Sequence, residues 1–296
     1  MEILVLGGTG LVGSHITKHL LQNGHTVTIA TRGKRKDNFG DKLRRISLDR
    51  TNASSISDAL SGKFFDIIYD TQAYCSNDVK YLLDSANCNR YIQVSTVSVY
   101  APDIKPLMRE NEFDPYNYPL KWCNRTDYAY DEIKRQAECA MFQTYAGIQS
   151  VAVRIPYVLG LDDNTRRLHF YISNILAQKP MNINNLDEGL AFIRSCEAGK
   201  FMAWLADNDY CGPINAGSIG NISLAKILAH VENKMGIRAI ISKDGENAPY
   251  NGCPSFSLAL GHSHEPGKNF AFSNVEDWIF DLTDDLIGEF SVQTNT

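Results

Sequence analysis

Short, continuous apolar runs recur along the first hundred residues: EILVLG at 2–7, HTVTIATR at 25–32, RRISL at 44–48, FDIIYDT at 65–71 and RYIQVST at 90–96. Between them lie stretches whose apolar residues return every three or four positions: VGSHITKHLLQNG at 12–24, SSISDAL at 54–60 and DVKYLLDSA at 78–86. A run without polar alternation predicts a strand covered on both faces, and helical spacing predicts an amphipathic helix. Their alternation predicts βαβ units, hence a parallel sheet with helices on both sides and ligand sites at the carboxyl ends of the strands. Gly24 fits a helix C-cap after KHLLQN.

The second half carries the pattern less regularly. Residues 101–124 are rich in Pro, Asn and charge, which predicts a long surface excursion that can cover a site. A helix holding Tyr130 follows, then a core strand at SVAVRIP, 150–156. Beyond it the spacing predicts a helix in RRLHFYISNILAQ, a strand running into a helix at 190–207, a short strand at PINAGS, and helices in SLAKILAHVENKMG and VEDWIFDLTDDLI. The expected architecture is α/β: a Rossmann-type doubly wound parallel sheet in a nucleotide-binding domain over 1–160, and a smaller, interleaved substrate lobe over 161–296.

The first strand runs straight into LGGTGLVG. Gly7, Gly10 and Gly13 stand three apart at the entrance of the first helix. Gly7 suits a tight turn, Gly10 lets the backbone approach a pyrophosphate, and Gly13 lets helix and strand pack closely; Thr9, Leu11 and Val12 complete the phosphate-binding stretch. The second strand ends in Thr31–Arg32. An acid there would bond the ribose 2′-hydroxyl of NAD, whereas a guanidinium holds a 2′-phosphate. Arg32, with Lys34 and Arg35 beside it, therefore predicts NADP in preference to NAD.

Composition narrows the classes. At 296 residues and 44% hydrophobic the chain is long enough for one large domain or a domain with a lobe. With 29 Lys+Arg against 34 Asp+Glu the net charge is −5, so no global basic field holds nucleic acid or an anionic membrane, and a phosphate-bearing ligand needs local cations. No apolar stretch approaches 18 residues, and MEILVLGG reads as a buried strand rather than a secretory leader. Seven scattered cysteines without a CxxC pair predict reduced thiols and a cytoplasmic setting. The histidine pairs 15/19 and 262/264 have metal-ligand spacing, but the first lacks a neighbouring carboxylate or thiol and the second lies in a Gly/Pro-rich stretch, so no metal is expected.

The helix after the excursion places Tyr130 four residues before Lys134, on one helical face, and RYIQVST puts Ser95 and Thr96 at a strand's carboxyl end. A lysine ammonium beside a tyrosine favours the phenolate and lowers its pKa from about 10, while a strand-end hydroxyl can orient a substrate oxygen. Four ordered motifs then make a resemblance specific. GGTGLVG, STVSVY, YDEIKRQAE and RIPYVLG resemble the glycine turn, SSxxVYG, YxxxKxxAE and RPxxVYG motifs of the extended short-chain dehydrogenase/reductases of the NAD-dependent epimerase/dehydratase type.

The resemblance implies an enzyme that moves hydride at a secondary alcohol or ketone, with a nucleotide sugar as substrate. It implies Thr96, Tyr130 and Lys134 as catalytic residues, with Lys134 also on the nicotinamide ribose. Asp49 would lie near the adenine; Thr71, Gln72 and Ala73 would line the cofactor together with Ser95; and Pro156 would border the nicotinamide. Tyr128 suits a cover or substrate contact, and Arg166, Arg167 and Arg194 are candidates for a substrate diphosphate. A homodimer through the helices around Tyr130 and DVKYLLDSANC is common in the family, and Leu82, Leu83, Ile133 and Ala137 permit one. Ala101, Ile155, Arg194 and Glu197 depart from the family pattern, all on the substrate side. The alternative is a relative of the same fold that senses cofactor or associates with RNA without turnover.

Overall fold

The computed structural model describes residues 1–260 and 270–293, so the stretch holding His262 and His264 lies outside the described residues. Its centre is a seven-stranded, all-parallel sheet built from β1 (Glu2–Leu6), β2 (Thr26–Thr31), β3 (Arg44–Ser47), β4 (Phe64–Asp70), β5 (Asn87–Thr96), β6 (Gln149–Ile155) and β7 (Gly212–Asn215), in the spatial order β7-β6-β5-β4-β1-β2-β3. The chain winds outward from β1 to β3, then returns to β4 on the other side of β1. This reversal opens a crevice at the carboxyl ends of β1 and β4, which is where an open α/β sheet takes its ligands.

The strands are apolar on both faces for a visible reason. Ile3 and Val5 of β1 join the core under α1 (Leu11–Gln22), while Leu4 and Leu6 join the core under α2 (Ala53–Leu60), α3 (Ser76–Leu83) and α4 (Tyr130–Cys139). All four are within 1% of complete burial. A strand buried on both faces has no polar side to show, so its sequence cannot alternate. Leu82, Leu83, Ile133 and Ala137 are likewise buried within the chain's own core.

Beyond β6 the chain builds a second apolar cluster with α5 (Arg167–Leu176), α7 (Leu224–Met235) and α8 (Glu276–Gln293), centred on Tyr171, Phe192, Leu224, Ile279 and Leu282. It does not leave the first layer system, however. α6 (Ser195–Trp204) returns to lie against α1, with Gly199 so close that a Cβ there would stand 2.2 Å from the Cβ of His15, and β7 adds the sheet's edge strand. Residues 101–129 are mostly irregular, apart from Leu107–Met108, which pairs with Ser257–Leu258, and a 3-10 turn at Glu110–Glu112. None of the described helices is long and apolar enough to cross a membrane.

Candidate active site

The glycine turn closes the end of β1. Gly7 takes φ +75°, donates its N–H to the Ala30 carbonyl at 3.0 Å and accepts from Gly10 N–H at 2.8 Å. A Cβ on Gly13 would stand 2.2 Å from the Gly7 oxygen, so the helix can start this close to the strand only with glycine there. Gly8, which carries no role in the sequence reading, is as constrained: a Cβ would meet Ile29 at 2.5 Å, and Thr17 bonds the Gly8 and Gly13 carbonyls at 3.2 and 2.8 Å. The α1 N-cap, Gly10, offers no side-chain cap, which leaves first-turn amides for an anion.

A polar cleft opens over this turn. Gly7, Thr9, Gly10, Arg32, Asp49 and Gln72 line it as the sequence suggests, and Lys34 and Arg35 extend its basic rim. Asp49 accepts from the Thr51 amide and hydroxyl at 2.9 and 2.7 Å. Those bonds, with the charges of Arg32 and Lys34 adding to them, hold its carboxyl below the usual value. Two arginines without a role in the sequence reading also line the cleft. Arg50, 6% exposed, bonds Asp70 at 2.5 Å, and its Nε and Nη1 find no partner among the described residues. Arg125 enters from the surface excursion. The residues thus fit a dinucleotide: a close-approach glycine turn, uncapped helix amides and cations where phosphates would lie.

Leu11, Val12 and Gly13 stand behind the turn as its scaffold. Thr71 bonds the Leu6 carbonyl through both its amide and hydroxyl, at 3.3 and 2.8 Å, bracing the cleft floor. Ala73 is buried, with its carbonyl turned to Lys134. Ser95 is 2% exposed and donates to Glu138 of α4 at 2.5 Å. Pro156 packs against Gly217 at the start of the second half.

Tyr130 is the first residue of α4, half-exposed as a residue, and it meets Tyr74 edge-on with centroids 6.2 Å apart. Lys134 sits one turn below, buried, donating to the Ala73 and Val94 carbonyls at 2.8 Å each. Burial pushes its ammonium down to about 8, against the raising pull of Glu138, Asp70 and Asp78. Against the expectation that Lys134 lowers it, the Tyr130 pKa lies above the ordinary value. Burial of the hydroxyl and the neighbouring Tyr74 raise it, while a hydrogen bond with Thr96 and the charge of Arg167 pull it down.

Arg167 exerts the smallest of these influences on Tyr130. It opens α5, bonds Thr165 Oγ1 at 2.8 Å and lies 5.8 Å from the Tyr250 ring centroid. Its neighbour Arg166 caps α5 at φ +53° and is exposed, while Arg194 precedes α6. Tyr128 is 45% exposed beside Lys121, whose ammonium lies 5.5 Å from its ring centroid.

Residues 3–84 match the model of the NAD dependent epimerase/dehydratase family. Over 129 residues the chain is 30% identical to the chloroplast stem-loop binding protein of 41 kDa b of Arabidopsis thaliana, covering 38% of this chain and 34% of that protein. Over 217 residues it is 24% identical to 2′-dehydrokanamycin reductase of Streptomyces kanamyceticus, covering 71% and 59%. The matches thus span less than two thirds of either curated relative. Among solved structures, UDP-glucuronic acid 4-epimerase from Bacillus cereus, in complex with UDP-glucuronic acid and NAD, superposes with a TM-score of 0.73 at 18% identity over 98% of this chain and 100% of that one. MoeE5 in complex with UDP-glucose and NAD gives 0.73 at 18% over the whole of both chains. By sequence over residues 3–84, and by fold over nearly all of its length, the chain resembles the extended short-chain dehydrogenase/reductases of the NAD dependent epimerase/dehydratase family.

Proposed function

We propose that the chain is an NADP(H)-dependent oxidoreductase or epimerase of a nucleotide sugar, with 1–160 as the cofactor-binding domain and 161–296 as the substrate lobe. The observation that carries this reading is the meeting, at the carboxyl edge of one parallel sheet, of the glycine-turn cleft with its basic rim and the Thr96, Tyr130 and Lys134 set. Bound nicotinamide supplies the hydride acceptor or donor. Gly7 and Gly10 would hold its pyrophosphate, Arg32, Lys34 and Arg35 a 2′-phosphate, and Asp49 and Gln72 the cleft walls. Thr96 orients the substrate oxygen, and Tyr130 takes or gives the proton there. Lys134, fixed by two carbonyls, holds the helix turn that carries Tyr130 and keeps a positive charge beneath the site. The nucleotide-sugar reading is supported by the UDP-sugar complexes that share the fold, and Arg166, Arg167 and Arg194 stand on the lobe side where an anionic substrate would enter.

Tyr130→Phe is expected to lower turnover on a responsive nucleotide sugar by about 10² to 10⁴, the usual worth of a positioned acid–base group, with NADP(H) binding intact. Undiminished turnover in that variant would sink the assignment. A second reading, a cofactor-binding RNA-associated protein, is favoured by the name of the Arabidopsis relative. A wild-type chain that binds NADP(H), turns over no nucleotide sugar and retains stem-loop RNA in a salt-sensitive manner would replace the first reading with the second.

A further inference from the structure

Five residues before Tyr130, Arg125 leaves the surface excursion and reaches the cofactor cleft. Its guanidinium is held on three sides. Nε donates to Asp78 at 3.0 Å, Nη2 to the Gln72 carbonyl at 2.8 Å, and the plane lies over the Tyr74 ring, 4.6 Å from its centroid. Asp78 is itself buried and also accepts the Tyr74 N–H at 2.8 Å. Lys134, four residues after Tyr130, takes the next carbonyl, Ala73, and lies 5.5 Å from the same Tyr74 ring centroid. Two cations on either side of Tyr130 in sequence therefore grip consecutive peptide groups of the turn between β4 and α3. Tyr74, gripped by both, meets the Tyr130 ring edge-on.

Lys134 is buried, whereas the Arg125 side chain keeps 31% of its surface and lines the cleft together with Gly7, Thr9, Gly10 and Gln72. A guanidinium has five N–H donors in a fixed fork, more than the Asp78 and Gln72 bonds use, and its geometry matches phosphate oxygens.

We propose that Arg125 is a positioning residue that acts in two directions. It holds Tyr130 in register with the β4–α3 turn, and it contacts the half of the cofactor pyrophosphate nearer Tyr130. Cofactor occupancy and the placement of Tyr130 are then coupled through one side chain. The excursion becomes a strap closed over the cleft, fastened by Arg125 and by the buried Ser76. The Ser76 hydroxyl bonds the Lys121 carbonyl and the Cys123 N–H, each at 2.8 Å. This inference rests on the dinucleotide reading of the cleft.

Calorimetric titration of the full chain with ADP-ribose and with AMP tests it without catalysis, since only the first carries the second phosphate. Arg125→Gln is expected to weaken ADP-ribose about 10- to 100-fold, the range for a lost charge-assisted hydrogen bond, while AMP stays within about twofold. Arg125→Lys keeps the charge but not the fork or the stacking. It should recover part of the ADP-ribose affinity, yet leave turnover at saturating cofactor below the wild-type value. Equal losses for AMP and ADP-ribose in Arg125→Gln would reduce Arg125 to a structural tie and overturn the proposal, as would unchanged binding of both. A wild-type chain that binds neither NADP(H) nor ADP-ribose would overturn the dinucleotide reading and this inference with it.

Discussion

Tyr130 and Lys134 could be picked out by spacing because a helix puts i and i+4 on one face, but spacing says nothing about what else approaches a side chain. A charge bearing on the tyrosine comes from Arg167, some forty positions away in the chain, and Tyr74 raises the same hydroxyl from a third element. A charge that lowers a phenol's pKa does so by favouring the phenolate, so its loss moves the pKa upward. Arg167→Gln should therefore shift the limb of the kcat/KM pH profile that reports Tyr130 to higher pH, and Arg167→Lys should shift it back. A profile unmoved by Arg167→Gln would show that the guanidinium does not act on Tyr130. The sequence offered Arg166, Arg167 and Arg194 without ranking them. Only the left-handed cap at Arg166, which turns α5 so that the next residue faces Tyr250, separates the first two.

At the scale of elements, β6 and α4 are locked by a pair that the sequence does not announce. Arg154 of β6 and Glu138 of α4 are both 0% exposed, joined at 2.6 Å, and Ser95 of β5 donates to the same carboxylate. Glu138 lies one helical turn beyond Lys134, so the helix that aims Tyr130 at the site is anchored at its far end by this pair. Removing one partner strands a buried charge. Glu138→Gln should destabilise the fold by about 3–5 kcal/mol in denaturant titration, well above the cost of a surface change. A loss under about 1 kcal/mol would mean that Arg154 finds compensation in Tyr100 and the Glu110 and Phe113 carbonyls, which it also bonds. The ion pair could not be read from the sequence, since its members are 16 positions apart on different elements.

Across the whole molecule, what the sequence shows is what repeats locally. The βαβ rhythm of the first hundred residues, the glycine turn and the basic strand end all arise within windows of a few residues, and five of the seven parallel strands follow from them. Beyond β6 the chain is harder to read because its strands are two to four residues long and pair across long separations, such as Gly189–Leu190 with Ile222–Ser223, leaving no period to see. Charge is distributed in the same uneven way. A chain of net charge −5 gathers Arg32, Lys34, Arg35, Arg50 and Arg125 around one cleft. The field there is positive although the molecule is acidic, and the solvent-exposed rim at Arg32, Lys34 and Arg35 is open to screening by salt. A ligand that binds only the folded chain stabilises it by about 2.7 kcal/mol at 100 times its dissociation constant. At equal concentration and low salt, NADP⁺ should thus raise the melting temperature more than NAD⁺, because its 2′-phosphate meets that rim. The gap should narrow as salt rises from about 0.05 to 0.5 M, since the Debye length falls well below 10 Å. A larger shift with NAD⁺, or a gap indifferent to salt, would remove Arg32 and its neighbours from cofactor selection and leave them as solvated surface charge.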